Sequence, residues 1–551
     1  MKPFDLFSHA VRAKEIVGVL ARHGFSDLLD QFDLPAGLRQ RLVSREHPGS
    51  NAWERIRLTL EELGPAFVKC GQLMSTRPDA LPAPFILELR KLQDEVRPVP
   101  FSEIRPVLLD ELPGDPAQIF SEFDETPVAS GSLAQVYRAR LRDSGRAVAV
   151  KVQRPNIIRT VEMDLDLAAW FIGQLHQRIS YLRPYDLPAI FAEVREGVLK
   201  ELDFSHEARN QQYFSTFNPD PARIFAPAVV TELTGRRLIV MDFVEGVPLG
   251  RAAPSPELAQ GLAAAGARSL LHQILIAGFF HADPHGGNVL VTPDGRLCLL
   301  DWGLAGHLTR RLRYALADFW RCAVEQEADA IVQIAMSLAP PDARLDQREM
   351  EKDVTLALRE ELNFAIGRQQ LGRAMLKLLF IFGRHGIRLS RDYSLMAKAV
   401  LAIEETGRAL DPKFDLRAEA VPVLRELQRE RTSPRALLRH TRDFFGASFR
   451  TLQDLPDELH RLVRRLEHDN LTINFQHRGL DELDEGLRTA ANRIALGVVI
   501  GSLIIGSSLI VNTRLPPLVH GYPLLGITGY LLSAALGFYV IWDIIRHGRH
   551  N

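Results

Sequence analysis

The distribution of apolar positions divides the chain into contrasting regions. Near the C-terminus, Ile494–Val511 and Leu524–Trp542 are uncharged, almost wholly apolar runs. Each is close to the roughly 20 residues needed to cross a bilayer core. Pro516, Pro517 and Pro523 lie between them and break a continuous helix. A buried helical hairpin in a soluble core is the bland alternative, and two consecutive runs of this length weigh against it. Residues 1–124 read as a mainly helical extension. Leu58, Leu63, Phe67 and Val68 fall near helical spacing, Phe85–Leu92 forms a further amphipathic set, and Pro106 and Pro113 punctuate its end.

From Thr126 the pattern becomes one of alternation. Pro127–Ala129 reads as a short strand, Ser130–Gln135 as a loop, and Val136–Leu141 as a strand. Asp143–Gly145 is a turn and Ala147–Val152 another strand. Helix is expected over 156–217, strands over Val229–Glu232 and Arg237–Phe243, and a long apolar helix over Leu258–Gly278. Val289–Val291, the turn Pro293–Gly295 and Leu297–Leu300 form a hairpin, and 308–480 is again helical. Strands followed by helices predict a two-lobed α+β protein. The N-lobe spans 125–245, the helical C-lobe 246–480, and two transmembrane helices 494–545.

The 551 residues are 46% hydrophobic and 25% charged, an ordinary globular balance. With 67 basic and 68 acidic residues the net charge is -1, so no global basic excess points to nucleic acid. Cys70, Cys298 and Cys322 lie far apart without a CxxC pair, which fits a reducing compartment. Met-Lys-Pro-Phe-Asp-Leu-Phe at the start lacks the apolar core of a secretory signal and the Ser-rich, acid-poor character of a transit peptide, favouring a bacterial protein. Arg488 and Arg493 precede the first run, and Arg546, His547 and Arg549 follow the second. Only Arg514 lies between. That asymmetry places both flanks and the long N-terminal body in the cytoplasm. Gly497 and Gly501 form a GxxxG pair expected to bring the two helices together.

The densest chemistry is Phe280-His281-Ala282-Asp283-Pro284-His285-Gly286-Gly287-Asn288, followed by the hairpin and Asp301-Trp302-Gly303. Phosphoryl transfer needs metal ions on the phosphates and a residue that positions the nucleophile. An aspartate followed five residues later by an asparagine has kinase catalytic-loop spacing. Asp283 then orients or deprotonates an acceptor, while Asn288 and Asp301 offer hard oxygens to Mg²⁺. Alone, either aspartate reads more simply as a turn cap; in this order around a hairpin they do not. His281 and His285, four apart, share a face if helical, but Pro284, Gly286 and Gly287 argue for a loop and against zinc. Val148-Ala149-Val150-Lys151 matches the strand whose lysine pairs with nucleotide phosphates. Before it, Ala129-Ser130-Gly131-Ser132-Leu133-Ala134-Gln135-Val136-Tyr137 occupies the place of a Gly-rich loop but keeps only the middle glycine, implying a stiffer loop.

These residues, with Lys69-Cys70-Gly71-Gln72 and Glu201-Leu202-Asp203 followed by Phe204–Asn210, resemble the UbiB-type atypical kinases from about residue 50 to the C-terminal hairpin. The family carries an Ala-rich loop, an N-terminal KxGQ motif and an ExD motif. Ser130-Gly131 inside that loop and Trp302 in place of Phe are departures. The resemblance implies a kinase-like fold binding ATP (or ADP) with Mg²⁺, with Glu207 as partner of Lys151. It also implies that the KxGQ segment folds over the site, with Lys69 and Gln72 in the catalytic set and Lys69 meeting Glu201 and Asp203. The mutual proximity of a buried ammonium and two carboxylates offsets part of their desolvation cost; the bland alternative is a set of solvated helix residues. A bacterial inner-membrane phosphotransferase or ATPase is implied, acting on or for lipid-soluble quinone precursors in ubiquinone biosynthesis. Membrane lipids and other ubiquinone-biosynthesis proteins are its expected partners, and nucleic acid is not. Two other readings remain open: a conventional protein kinase, disfavoured by the poor Gly-rich loop, the obstructing N-terminal extension and the lack of an APE-type segment, and a nucleotide-gated scaffold.

Overall fold

A computed structural model describes residues 3–25, 51–77, 81–92, 97–179, 186–338, 346–362, 370–387, 389–434, 480–513, 516–519 and 522–547. The chain divides into two compact units, 1–438 and 439–551. The expected mixture of helix and sheet, with a helical N-terminal region and two apolar C-terminal helices, is present. The stretch 435–479, over which the helical lobe was expected to continue, lies outside the described residues, as do Arg514 and Arg549.

The first unit holds an antiparallel sheet of β1 (Phe120–Phe123), β2 (Ala129–Ser130), β3 (Ala134–Leu141), β4 (Ala147–Gln153) and β6 (Leu238–Asp242). Its path runs β1-β3-β4-β6, with β2 on β3. Strand alternation sorts β4 into two faces. Val148, Val150 and Val152 are fully buried beneath Ile104, Val107 and Leu108 of α5 (Phe101–Glu111), leaving Ala149 and Lys151 on the opposite face. Each buried valine contributes roughly 1.5–3 kcal/mol. Pro106, expected to end a helix, sits inside α5. Both Pro106 and Ser102 are exposed, so the carbonyl that loses its partner faces water. The strand expected over Val229–Glu232 is reduced to one bridge, Val229 to Met241, followed by a 3₁₀ turn over Thr231–Leu233. Thr234 Oγ1 accepts from the Val240 N–H at 3.2 Å, a side-chain bond that competes with ladder extension.

The N-terminal extension comprises α1 (Pro3–Arg22), α2 (Ala52–Leu63), α3 (Pro65–Met74) and α4 (Ala83–Leu89). Phe67, Cys70 and Leu73 of α3 pack against Val161 and Leu165 of α6 (Ile157–Arg178) and Val194 and Val198 of α7 (Leu187–Glu201). Arg12 Nε meets the buried Asp164 Oδ1 at 2.7 Å, tying α1 to α6. Beyond the sheet, α8 (Phe204–Phe217) leads to α9 (Pro256–His272), which continues as a π turn over Gln273–Ala277. The helical lobe is completed by α10 (Arg310–Glu325), α11 (Ala328–Leu338), α12 (Gln347–Glu361), α13 (Leu371–Arg384), α14 (Arg391–Leu410) and α15 (Leu416–Thr432) around one apolar core.

The second unit contains α16 (Leu480–Asn512) and α17 (Leu524–His547). Within them, Ile494–Asn512 and Leu524–Trp542 are long and apolar enough to cross a membrane. Large apolar side chains such as Ile494, Leu509, Leu525 and Phe538 are exposed, unlike those of a buried soluble hairpin. The GxxxG expectation is corrected: a Cβ on Gly497 or Gly501 meets nothing within 4 Å, so neither holds the helices together. Close approach occurs at Gly526 and Gly529, where a Cβ would lie 2.5 Å from Val511 Cγ2 and 2.0 Å from Ser507 Oγ.

Replacing Asp164 with Ala removes the buried carboxylate from Arg12, leaving it Glu15 and the Leu63 carbonyl, and is expected to lower stability by about 2 kcal/mol. Asp166→Ala, on an exposed position of the same helix, should change it by less than about 0.5 kcal/mol. Denaturant midpoints of the detergent-solubilised chain test the contrast; equal midpoints would remove the ion pair's assigned role.

Candidate functional site

The inner face of β4 presents Lys151 to α8. Asp203 caps that helix, and its first turn carries Glu207. Lys151 Nζ donates to both Glu207 oxygens, at 2.9 and 2.7 Å, and stands 3.7 Å from Asp301 Oδ1. The loop between β2 and β3 lies over this face and is fastened by Arg154. Its Nε donates to the Gly131 carbonyl at 2.9 Å, while Nη2 reaches Ser130 Oγ at 2.8 Å and the Arg97 carbonyl at 2.9 Å. Gln135 adds a two-way bond to the Val99 backbone and donates to the Tyr137 hydroxyl at 2.7 Å. Gly131 has no positive φ, and a Cβ there meets only the Ala134 carbonyl oxygen at 3.8 Å. Backbone geometry therefore does not require glycine in this loop. Ser132 is buried, and its hydroxyl has no hydrogen-bond partner among the described residues.

Across the cleft, β8 (Phe279–His281) pairs antiparallel with β11 (Ala305–His307), drawing together the segment that follows β8 and the segment that precedes β11. The expected hairpin forms between them as β9 (Val289–Val291) and β10 (Leu297–Leu299). His281 brackets the two acidic motifs. The Asp283 N–H donates to His281 Nδ1 at 3.1 Å, so the ring proton resides on Nε2 and is given to the Leu300 carbonyl at 2.9 Å. Burial holds the His281 pKa below its ordinary value, consistent with a neutral ring. With both nitrogens committed, His281 is a structural bracket and no longer a candidate metal ligand. The π turn contributes Gln273, whose Oε1 accepts from the His281 N–H at 2.9 Å. Such turns recur at functional sites.

Asp283 Oδ1 meets Lys398 Nζ of α14 at 2.9 Å. Asn288 Nδ2 donates to the Asp283 carbonyl at 3.2 Å, which orients its Oδ1 away from that acceptor. Asp301 has φ 52° and is half exposed, with Oδ1 accepting from the Gly303 N–H at 3.2 Å. Trp302 is fully buried, stacked 4.7 Å from Phe214 and 5.9 Å from Phe279, and its carbonyl accepts from Asn210 Nδ2 at 2.9 Å. These contacts tie α8, and hence Glu207, to the segment carrying Asp301. Asn288 and Asp301 supply the hard oxygens suited to Mg²⁺, and the unpartnered Ser132 hydroxyl lies within the expected phosphate loop, so these residues fit a Mg-nucleotide.

The N-terminal helices enter the same region. Lys69 Nζ lies 3.1 Å from Glu201 Oε2, and Leu133 of the loop packs with Phe67, Cys70 and Leu73. Gly71 makes close packing possible, since a Cβ there would lie 2.3 Å from Leu92 Cδ1. Asp203 was expected to share Lys69. It is committed to the N-terminus of α8, accepting from the Ser205 N–H at 3.0 Å and hydroxyl at 2.5 Å, with Arg236 at 3.4 Å. Gln72 Nε2 donates to the Leu92 carbonyl at 3.3 Å, fastening α3 to the chain after α4. Lys69, Lys151, Glu201, Glu207 and Asp301 thus form one charge cluster. Burial pulls the Lys151 pKa down, but Asp301 and Glu207 outweigh it and leave Lys151 above its ordinary value. Lys151 in turn holds Asp301 well below the carboxylate range. Sequence reading assigned no role to His281 as a bracket, Gln273, Asn210 or Lys398.

Three segments match family descriptions. Residues 91–335 match an ABC1 atypical kinase-like domain, 362–415 a UbiB helical domain, and 478–546 an ABC1/UbiB kinase-like C-terminal domain. A Clostridium pasteurianum protein described as uncharacterized in the hydrogenase 1 5' region is 28% identical over 546 residues, covering 98% of this chain and 99% of that one. Proteins named probable protein kinase UbiB from Xanthomonas campestris pv. campestris (strain B100) and Xylella fastidiosa (strain M23) are each 30% identical, covering 91% of this chain and 93% of theirs. The solved Mycobacterium tuberculosis chain Rv3197, in complex with erythromycin, is 24% identical and covers 61% of this chain and 90% of its own, with a TM-score of 0.41.

The charge cluster predicts a pH signature. Depression of Asp301 contributes stability that is present above the ordinary aspartate value of about 3.9 and is lost as pH falls through the lower native value. Elevation of Lys151 contributes stability present below about 10.4, lost as pH rises through its native value. Asp301→Asn should therefore melt below the parent chain at pH 7, and the gap should close only under strongly acidic conditions. Closure near pH 6 would show that Lys151 does not hold the carboxylate ionised.

Proposed function

Because the chain belongs to the ABC1/UbiB family of atypical kinase-like proteins, we propose that it binds Mg-ATP and transfers or hydrolyses the γ-phosphoryl group at a membrane. The cellular role in this reading is support of ubiquinone biosynthesis, on or for lipid-soluble quinone precursors. The observation that carries the nucleotide reading is the Lys151–Glu207 pair lying 3.7 Å from Asp301. Asp283 and Asn288 occupy the loop bracketed to it by His281. The ubiquinone assignment is supported by the family resemblance.

Each residue has a distinct task. Lys151, held by Glu207, faces the nucleotide phosphates. Asn288 and Asp301 hold Mg²⁺, which neutralises phosphate charge when bound. Asp283 orients an acceptor hydroxyl or water and receives its proton or passes it to solvent. Meanwhile the bond between the γ-phosphorus and the ADP oxygen breaks, its electron pair leaving on ADP as the acceptor–phosphorus bond forms. The lodging of α3 beside Glu201 opposes entry of a protein substrate, favouring a small or lipid-soluble acceptor over a conventional protein-kinase substrate. Two apolar helices flanked by basic residues support an inner-membrane location with the first unit cytoplasmic.

Asp301→Asn is expected to abolish metal-dependent nucleotide binding; unchanged Mg-ATP affinity would sink the assignment. Steady-state ATP turnover should rise with liposomes and a phenolic quinone-precursor mimic, and fall by about 100-fold or more in Asp283→Asn. Tight Mg-ATP binding without turnover under any condition would transfer the assignment to a nucleotide-gated scaffold. Deleting 494–551 should move the protein to the soluble fraction, and its persistence with membranes would locate the anchor elsewhere.

A further inference from the structure

Asp283 is joined by a cation from outside the segment that carries the kinase-like match. Lys398 belongs to α14, inside the 362–415 segment, and its Nζ lies 2.9 Å from Asp283 Oδ1. In the same loop, His285 Nδ1 is committed to accepting from the Gly287 N–H at 3.0 Å. Lys69 and Lys151 are engaged with Glu201, Glu207 and Asp301. Lys398 is firmly placed. Its neighbours Leu395, Met396, Ala397, Ala399 and Val400 are at most 2% exposed, and Asp392 of the same helix accepts from the His307 N–H at the end of β11 at 3.2 Å. The Lys398 and Asp283 side chains are nonetheless 29% and 28% exposed, so the ammonium, with three donors, retains a face toward solvent.

We infer that Lys398 is a further residue of the phosphoryl-transfer machinery, steadying Asp283 and stabilising by its positive charge the negative charge that develops on the transferred group beside it. This rests on the nucleotide reading above. Lys398 forms no covalent bond and exchanges no proton; it acts as a fixed positive charge where charge accumulates. The competing role is a surface ion pair, which at this exposure stabilises the fold little.

Binding of a transition-state mimic separates the two. Affinity of the full-length detergent-solubilised chain for Mg-ADP, with and without fluoroaluminate, is measured for the parent, Lys398→Met and Lys398→Arg, alongside melting temperatures. The parent should bind Mg-ADP more tightly with fluoroaluminate. Lys398→Met should keep Mg-ADP affinity within about twofold but lose about tenfold or more of that tightening, and Lys398→Arg should recover much of it. Parental tightening in Lys398→Met would overturn the inference. So would a parallel fall in melting temperature and plain Mg-ADP affinity, the mark of a structural role. A parent that binds no Mg-ADP would refute the nucleotide reading itself, and one that binds without tightening would refute phosphoryl transfer; the inference falls with either, by a distinguishable route.

Discussion

Two ammonium groups and three carboxylates are packed together where the sheet, α8, the Asp301 segment and the N-terminal helices converge. The arrangement persists because each charge has an opposite charge near it. Burial by itself pulls Lys151 toward its neutral form. The two-pronged contact to Glu207 and the proximity of Asp301 reverse that preference. Removing one member leaves the others with uncompensated desolvation, a larger penalty than the net value of the intact set. The surrounding structure therefore has to keep all five side chains in register.

That requirement accounts for the apolar frame around them. Trp302 is clamped between Phe214 and Phe279, so α8 cannot shift without disturbing the segment that sets Asp301. His281 performs the same service by hydrogen bonds, since its neutral ring can accept from Asp283 and donate to Leu300 simultaneously. Gln273 then pins His281 through a π turn that interrupts an otherwise regular helix. A charged His281 would lose the acceptor, which is why its burial matters. On the opposite side, Arg154 and Gln135 bind the β2–β3 loop to the backbone at Arg97 and Val99. The loop is thus restrained by the chain leading out of the N-terminal extension, independently of its low glycine content.

The helical lobe contributes more than support. Through α14 it places Asp392 against β11 and Lys398 against Asp283, connecting the lobe's apolar core to both ends of the acidic loop region. Lys398 lies 115 positions beyond Asp283 in the numbering, and only the packing of α14 brings it back. The cleft is consequently assembled from the N-terminal extension, both lobes and a helix beyond the kinase-like match.

Much was legible in the residues alone. Period-two alternation marked β3 and β4, apolar length marked the terminal helices, and spacing joined Asp283, Asn288 and Asp301 around a hairpin. These signals are local: each arises from backbone geometry within a few residues, or from a composition that only one environment accepts. Pairings dependent on tertiary packing were less legible. Whether Lys69 took Glu201 or Asp203 depended on Asp203 being claimed by the α8 N-terminus. Which glycines brought α16 and α17 together depended on helix rotation, which GxxxG spacing does not specify. The two- and three-residue strands β5 (Ile224–Phe225), β7 (Val247–Pro248), β8 and β11 are too short to carry a periodic signal. Their existence is decided by neighbours that supply the hydrogen bonds. Sequence by itself determined the longer elements, the membrane-length helices and the residue types gathered at the candidate site. Tertiary structure decided which charges neutralise one another, because desolvation and Coulomb energy depend on distances that sequence separation does not encode.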